Sequence, residues 1–266
     1  LAARGEETAE PLLVLHGFPT SSFDFHAVVE AWAEHRRVLL LDLVGFGLSD
    51  KPDRRYSVET YADGVQAFVD GLGVRRLAMV SHDLGDTVGG ELLARTLEGS
   101  WPVEVTRRVL TNGSIYIAMA QLTVGQQVLL SLPDERLDPG TGIDGEAMAA
   151  SLAGTFGPTS SVDGAELAAA WELIAHHRGQ LLLPRTIRYI EDRRRHEDRY
   201  TGAIETHPSP LAVVWGTEDP VAVRAMADRL VEARPGTPLT WLEGVGHYPM
   251  LEAPGAFAAA VAAGLA

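Results

Sequence analysis

The 266-residue chain contains no cysteine and only one lysine, Lys51. Without cysteine it can form no disulfide, no thiolate metal site and no cysteine nucleophile. This composition is compatible with a reducing compartment, and the first residues show no signal-peptide pattern, so we expect a cytoplasmic protein. No apolar run is long enough to cross a bilayer, and we expect no membrane association.

Positive charge is also scarce, with 22 basic residues against 36 acidic ones and a formal net charge of −14. This excess of negative charge disfavours nucleic acids and anionic membranes as partners. The apolar content of 46% is ordinary for a globular protein. We therefore expect a small molecule as the partner, and a homodimer stays open as an assembly state.

Short apolar runs that end in glycine, proline or small polar residues are typical of buried parallel strands. Helical patterns lie between them, which predicts an α/β fold: a mostly parallel sheet with right-handed crossovers and helices on both faces. Residues 1–10 are polar and are predicted to be irregular. The predicted strands are Leu12–Leu15, Val38–Leu41, Leu77–Val80, Val109–Thr111, Leu211–Trp215 and Pro238–Leu242.

The alternation of strands and helices stops between residues 115 and 207. We predict a core domain of residues 1–114 and 208–266, and an inserted helical cap of residues 115–207. Arg193–Arg195, in the last of the cap's helical patterns, is expected to be solvated surface. Those patterns are Ile117–Leu132, Gly145–Leu152, Gly164–His176 and Leu181–Arg195.

The segment Ser81–Gly85 reads Ser-His-Asp-Leu-Gly and connects a predicted strand to a predicted helix. A sharp strand-to-helix turn crowds the positions two before and two after a nucleophile at its tip. Ser81 and Gly85 are small enough for those positions, which favours Asp83 rather than Ser81 as the nucleophile. The alternative reading is that Asp83 only caps the helix.

Other loops at the carboxyl ends of predicted strands hold Phe18, Asp219 and His247. In a parallel sheet these ends lie at one edge, so the loops can meet. Nucleophile, acid and histidine also follow each other in the order of hydrolase triads. We predict a triad of Asp83, Asp219 and His247, with the backbone N–H groups of Phe18 and Leu84 holding an oxyanion. Taken singly, Asp219 could be a helix cap and His247 a loop histidine.

These loops resemble the aspartate-nucleophile branch of the α/β-hydrolases, which includes epoxide hydrolases and haloalkane dehalogenases. The chain is also similar to the mesoderm-specific transcript proteins and their bacterial relatives. The resemblance implies the α/β-hydrolase fold, an ester on Asp83, water activation by His247, and no metal or organic cofactor. The matching stretches are His16–Pro19, Asp42–Pro52, Ser81–Gly85, Thr111–Gly113, Phe156–Pro158, Tyr189–Ile190, Gly216–Pro220 and Gly246–Pro249.

The resemblance also separates the two activities. Dehalogenases bind the departing halide with a tryptophan after the nucleophile, often helped by an asparagine after the His-Gly pair. Leu84 and Phe18 occupy those positions here and have no side-chain donor. Epoxide hydrolases use cap tyrosines to protonate the opening alkoxide, and Tyr189 falls where the second one is expected. The resemblance implies hydrolysis of an apolar or aromatic epoxide to a vicinal diol. A haloalkane dehalogenase with an atypical halide site and a non-catalytic binding protein are the alternatives.

Four further side chains are candidate substrate contacts: His82, Tyr116, Trp171 and Tyr248. Trp171 has a second reading as a core residue, and Tyr189 has one as a helix aromatic that only packs. The histidines show no third ligand at metal-binding spacing, so we assign no metal.

Overall fold

The computed structural model describes residues 2–4, 10–141 and 143–266, with side chains from residue 10 onward. Its sheet runs in the order β1-β3-β2-β4-β5-β6-β7, in which β1 is antiparallel to β3 and all other pairs are parallel. The strands are β1 (Ala2–Arg4), β2 (Leu12–Leu15), β3 (Val38–Leu40), β4 (Arg76–His82), β5 (Glu104–Thr111), β6 (Leu211–Gly216) and β7 (Leu239–Leu242).

The six predicted strands are confirmed, and β4 and β5 are longer than predicted. A seventh strand, β1, was not predicted. It lies at the edge of the sheet, where Ala2 pairs with Leu40 and Arg4 pairs with Val38. The prediction of an irregular N-terminus was wrong there, because three residues are too few to show a strand period. For residues 1 and 5–9 that prediction lies outside the described residues.

Helices cover both faces of the sheet, as predicted. α1 and α11 contact each other and the sheet, while α2 and α3 contact each other and α3 packs on β2, β4 and β5. No helix in the described ranges is long and apolar enough to cross a membrane. The helices are α1 (Val29–Ala33), α2 (Val58–Gly71), α3 (Leu84–Leu97), α4 (Val124–Ser131), α5 (Gly145–Ala153), α6 (Gly164–Ala175), α7 (Leu183–Thr186), α8 (Tyr189–Thr206), α9 (Arg224–Ala233), α10 (Pro249–Glu252) and α11 (Pro254–Gly264), with 3-10 turns at Ser22–Phe25, Ile117–Met119 and His176–Leu182.

Side-chain caps start several of these helices. The Ser57 hydroxyl accepts from Thr60 N–H at the start of α2. In the inserted segment Thr123 forms a capping box with Gln126 before α4, and Asp144 caps α5. Such caps satisfy first-turn N–H groups that have no acceptor inside the helix.

The inserted segment between β5 and β6 is helical, as predicted, but the predicted helix over residues 181–195 is divided. α7 ends at Thr186, and α8 begins at Tyr189 and continues to Thr206 with a kink at His196, where φ is −128°. α8 packs along α3, whose first residue is Leu84. This packing brings the start of α8 over the turn that precedes α3. The division into domains at residues 114 and 207 stays a prediction.

Candidate active site

Asp83 lies between β4 and α3 with φ 50° and ψ −112°. Such positive φ values are costly for a residue other than glycine and are found mostly at functional turns. The turn also needs glycine around it: a Cβ atom on Gly85 would lie 2.4 Å from the carbonyl oxygen of Leu15, and one on Gly17 would lie 2.8 Å from Asp83 Cβ. The crowding that suggested an elbow at Ser81–Gly85 is therefore present around Asp83.

Ser81 is turned away from this tip. It belongs to β4, is buried, and its hydroxyl donates to the Asp86 carboxyl group in α3. Burial raises the pKa of Asp86 well above its ordinary value. Ser81 thus lies in the interior with its hydroxyl already hydrogen-bonded, which leaves Asp83 as the elbow side chain available for chemistry.

The backbone N–H of Phe18 donates to Asp83 Oδ2 at 2.9 Å. The loop that carries Phe18 is fixed by His16, whose Nε2 accepts from Leu43 N–H at 2.9 Å and whose Nδ1 donates to Gly17 O at 2.8 Å. Burial lowers the pKa of His16, in keeping with a neutral ring that accepts at one nitrogen. Leu84 opens α3, so its N–H is one of the first-turn amides without an intrahelical acceptor.

His247 and Asp219 form a buried pair, with His247 Nδ1 2.8 Å from Asp219 Oδ2. The other carboxylate oxygen accepts from the N–H groups of Val221 and Ala222 at 2.7 and 2.9 Å. Asn112, after β5, donates from Nδ2 to Asp219 Oδ2 at 2.7 Å and accepts from Gly216 N–H. Asp219 is therefore fixed on both oxygens and orients the imidazole.

The charges around His247 favour its protonated form. Burial alone would lower its pKa, but the Asp219 carboxylate, its hydrogen bond and the nearby charge of Asp83 together raise the pKa to about 9. Removal of either negative charge would release the proton more easily. The protonation of His247 is thus coupled to the charge state of Asp83.

Tyr189 and Arg193, one turn apart at the start of α8, lie over Asp83. Tyr189 is fully buried, and burial and the charge of Asp83 raise its pKa well above 10. Its hydroxyl is therefore neutral, and Tyr189 lines the same cavity as Asp83. The Arg193 guanidinium carbon lies 5.1 Å from the centre of the Tyr189 ring.

Two adjoining cavities reach His247 and Asp83. The larger, of about 220 Å³, extends from Phe18, His247 and Tyr248 to apolar side chains of α4 and α5 such as Leu129 and Met148. The smaller, of about 30 Å³, is lined by Asp83, Tyr189, Arg193 and their neighbours. Gln126 and Val221 line both. Asp83 thus faces a small compartment beside a larger apolar one.

Among the predicted substrate contacts, Tyr248 lines the larger cavity, and its hydroxyl donates to Phe18 O at 3.2 Å. His82 lines neither cavity. Its Nε2 lies 2.8 Å from the carbonyl oxygen of His247, and burial and the charge of His247 lower its pKa to about 4. His82 therefore holds the His247 backbone in place through this hydrogen bond.

The structure does not bring Tyr116 or Trp171 to either of these cavities. The Tyr116 hydroxyl donates to Glu205 Oε1 at 2.7 Å, and Arg229 lies 4.3 Å from the centre of the Tyr116 ring. Trp171 packs inside the inserted segment against the backbone of Gly145. Both side chains stabilise packing where they lie, because their partners hold them away from Asp83.

Sequence reasoning missed two residues of the site. Arg193 is only 2% exposed, so the prediction that its arginine run is solvated surface was wrong for this residue. Its spacing from Tyr189, four residues, would have placed both on one helix face. Asn112 was noticed only as part of a strand-end loop, and its φ of 48° marks the turn that points it at Asp219.

The chain is similar to known proteins over nearly its whole length. The profile of the alpha/beta hydrolase family matches residues 12–260. LipZ of Mycobacterium tuberculosis is 38% identical over 257 residues, covering 94% of this chain and 86% of LipZ. The mesoderm-specific transcript homolog protein of Homo sapiens is 32% identical over 260 residues, covering 93% of this chain and 76% of that protein. This confirms the resemblance to the mesoderm-specific transcript proteins.

Among solved structures, an alpha/beta hydrolase fold protein from Burkholderia ambifaria superposes with a TM-score of 0.80 at 24% identity. The superposition covers 98% of this chain and 92% of that protein. At this level of identity the likeness concerns the fold.

Proposed function

The chain belongs to the alpha/beta hydrolase family, and we propose that it is an epoxide hydrolase that acts through an ester of Asp83. The observation that carries the proposal is the surroundings of the Asp83 carboxylate. Phe18 N–H holds one oxygen at 2.9 Å, and the neutral, buried Tyr189 lines the same small cavity as this carboxylate. A carboxylate can attack an sp³ carbon without a base, and the phenol is placed to protonate what leaves.

In the first step, Asp83 Oδ1 forms a bond to an epoxide carbon and the ring C–O bond breaks. The electron pair of that bond stays on the ring oxygen, which takes the Tyr189 proton. The product is a hydroxyalkyl ester of Asp83 and a tyrosinate. Oδ2, held by Phe18, becomes the carbonyl oxygen of the ester.

Because esterification removes the charge of Asp83, the pKa of His247 falls from about 9, and its proton passes to the tyrosinate. In the second step, water attacks Cγ of the ester while the now neutral His247 takes one proton from the water. The negative charge that develops on Oδ2 is held by the N–H groups of Phe18 and Leu84. The ester C–O bond then breaks, the leaving alkoxide takes the proton of the new Asp83 carboxyl group, and the diol leaves beside a protonated His247 and an ionised Asp83.

The larger cavity supports an apolar substituent on the substrate. Its lining includes aliphatic side chains from α4 and α5, and Tyr248 and Phe18 close its base. Mostly apolar clefts bind apolar ligands by excluding water, with a few polar groups setting orientation. An epoxide with its ring at Asp83 would extend its alkyl or aryl group into this cavity.

A haloalkane dehalogenase is the rival that shares Asp83, His247 and Asp219. Leu84 and Phe18 offer no side-chain donor to a halide, which favours the epoxide. The two activities give different products, so parallel assays with styrene oxide-type epoxides and brominated alkanes separate them. Diol formation faster than bromide release supports the proposal, and the reverse order supports the dehalogenase.

The proposal is tested by trapping the ester. His247→Gln should still form the ester but hydrolyse it slowly, so the intact mass should rise by the mass of one epoxide. Digestion should place the adduct on the peptide that contains Asp83. The double variant with Asp83→Asn is the matched control and should gain no mass. Turnover by the wild type without any adduct in His247→Gln would contradict the ester mechanism.

A further inference from the structure

We propose that Arg193 is a second charge-stabilising catalytic residue, and that the compartment it shares with Asp83 and Tyr189 receives the oxygen that leaves the substrate carbon. This inference rests on the proposed function, because it assigns the position of the leaving oxygen in the esterification of Asp83.

The guanidinium of Arg193 uses only two of its three nitrogens in hydrogen bonds within the described residues. Arg193 Nε donates to Thr87 Oγ1 and Nη1 donates to Ser114 O, both at 2.8 Å. Nη2 is buried and has no hydrogen-bond partner among the described residues. Two nitrogens thus fix the plane of the group, and the third is left with unused N–H donors. An unpaired buried donor of this kind costs free energy unless a ligand pairs it.

The compartment beside Arg193 is small. The compartment measures about 30 Å³, and a water molecule needs roughly 10–15 Å³ of such space. A single oxygen atom with its hydrogens therefore fits. The leaving oxygen itself is small enough to enter this compartment.

Arg193 also carries a buried positive charge. Arg193 is 2% exposed and makes no ion pair within the described residues, while the Asp83 carboxylate lines the same compartment. A buried charge is costly without a nearby opposite charge. Esterification neutralises Asp83, and the negative charge that develops on the leaving oxygen passes to the Tyr189 phenolate, so a negative charge stays close to Arg193. The same guanidinium faces the Tyr189 ring at 5.1 Å and stabilises the tyrosinate once the proton has moved.

A binding measurement that needs no turnover tests the site directly. Bromide is a single-atom anion, and Asp83→Asn reproduces the neutral charge of the esterified enzyme. Crystals of Asp83→Asn in sodium bromide should show an anomalous bromide peak next to Arg193 Nη2, and Asp83→Asn with Arg193→Gln should not. An empty compartment in the first variant, or a peak unchanged in the second, would overturn the proposal.

Kinetics in the His247→Gln background then test the role in the reaction. Arg193→Ala should slow ester formation by on the order of 100-fold, as the loss of one oxyanion donor does. Guanidinium ion should restore part of the rate, and urea, which has the same shape but no charge, should not. Arg195→Gln is the control, because Arg195 is an exposed neighbour on α8 that pairs with Glu191 and Asp192.

These outcomes separate the two proposals. If Arg193→Ala forms the ester at the unaltered rate, or if urea rescues as well as guanidinium, the role of Arg193 is wrong and the epoxide hydrolase proposal stands. If no epoxide gives an adduct on Asp83 but bromide binding depends on Arg193, the anion site stands and the proposed reaction is wrong.

Discussion

His247 Nδ1 lies 2.8 Å from Asp219 Oδ2, and both side chains are buried. Asp219→Asn removes the charge that holds the pKa of His247 near 9 and disturbs the orientation of the ring. We expect ester hydrolysis to slow by roughly 10²–10⁴-fold, whereas ester formation changes little. Rapid-quench measurement of both steps checks this. Equal slowing of both steps would contradict the assignment of Asp219 to the hydrolysis of the ester.

The same pair makes the stability of the protein depend on pH. The folded-state pKa of His247, about 9, lies above its ordinary value of 6.5. Its contribution to stability is therefore fully present below pH 6.5 and is lost as the pH rises through 9. The contribution should be at most about 3.5 kcal/mol, because one pKa unit corresponds to about 1.4 kcal/mol. Urea unfolding of wild type and His247→Gln between pH 6 and 9.5 measures it, and the variant should show the smaller decrease.

Tyr189 supplies the proton for ring opening, so Tyr189→Phe should slow ester formation by roughly 10²–10⁴-fold. Hydrolysis of an ester once formed should stay within a few-fold of wild type. Tyr200→Phe is a matched control, because Tyr200 is a buried tyrosine of the same helix whose hydroxyl has no hydrogen-bond partner among the described residues. An unchanged rate of ester formation in Tyr189→Phe would exclude Tyr189 as the acid.

The elbow itself makes a prediction about stability. A Cβ atom on Gly85 would lie 2.4 Å from Leu15 O, a backbone atom of strand β2. Gly85→Ala should therefore destabilise the fold by roughly 1–3 kcal/mol through overpacking, and it should distort Asp83. Gly202→Ala in α8 has no atom within 4 Å of its Cβ and should stabilise the helix by roughly 0.5–1 kcal/mol. Thermal unfolding of the two variants should shift in opposite directions.

The sheet, and the position of Asp83, Asp219 and His247 in loops at its edge, were predictable because both depend on short-range patterns. Leu12–Leu15 is a continuous apolar run, and Asp83, Asp219 and His247 each follow such a run at the edge where parallel strands end. The loops that carry Asp219 and His247 lie at the same edge of the sheet, and there the two side chains are in contact. Patterns of this kind need no knowledge of distant side chains.

The contributions of the inserted segment were less predictable, because they depend on pairing across long sequence separations. The buried guanidinium of Arg193 donates a hydrogen bond to Thr87, which lies more than a hundred positions earlier in the chain. Tyr116 is held away from the site by Glu205, 89 positions later. Neither pairing leaves a signal in helical periodicity, and the turn between α7 and α8 has no proline or glycine to mark it.

The central claim is that a carboxylate oxygen of Asp83, not water, attacks the substrate carbon. A single turnover in ¹⁸O-labelled water with enzyme in excess over epoxide tests it directly. The account predicts unlabelled diol and one ¹⁸O atom in the peptide that contains Asp83, because water attacks Cγ of the ester. Labelled diol with an unlabelled Asp83 peptide would mean that water attacks the epoxide itself, and would contradict the ester mechanism.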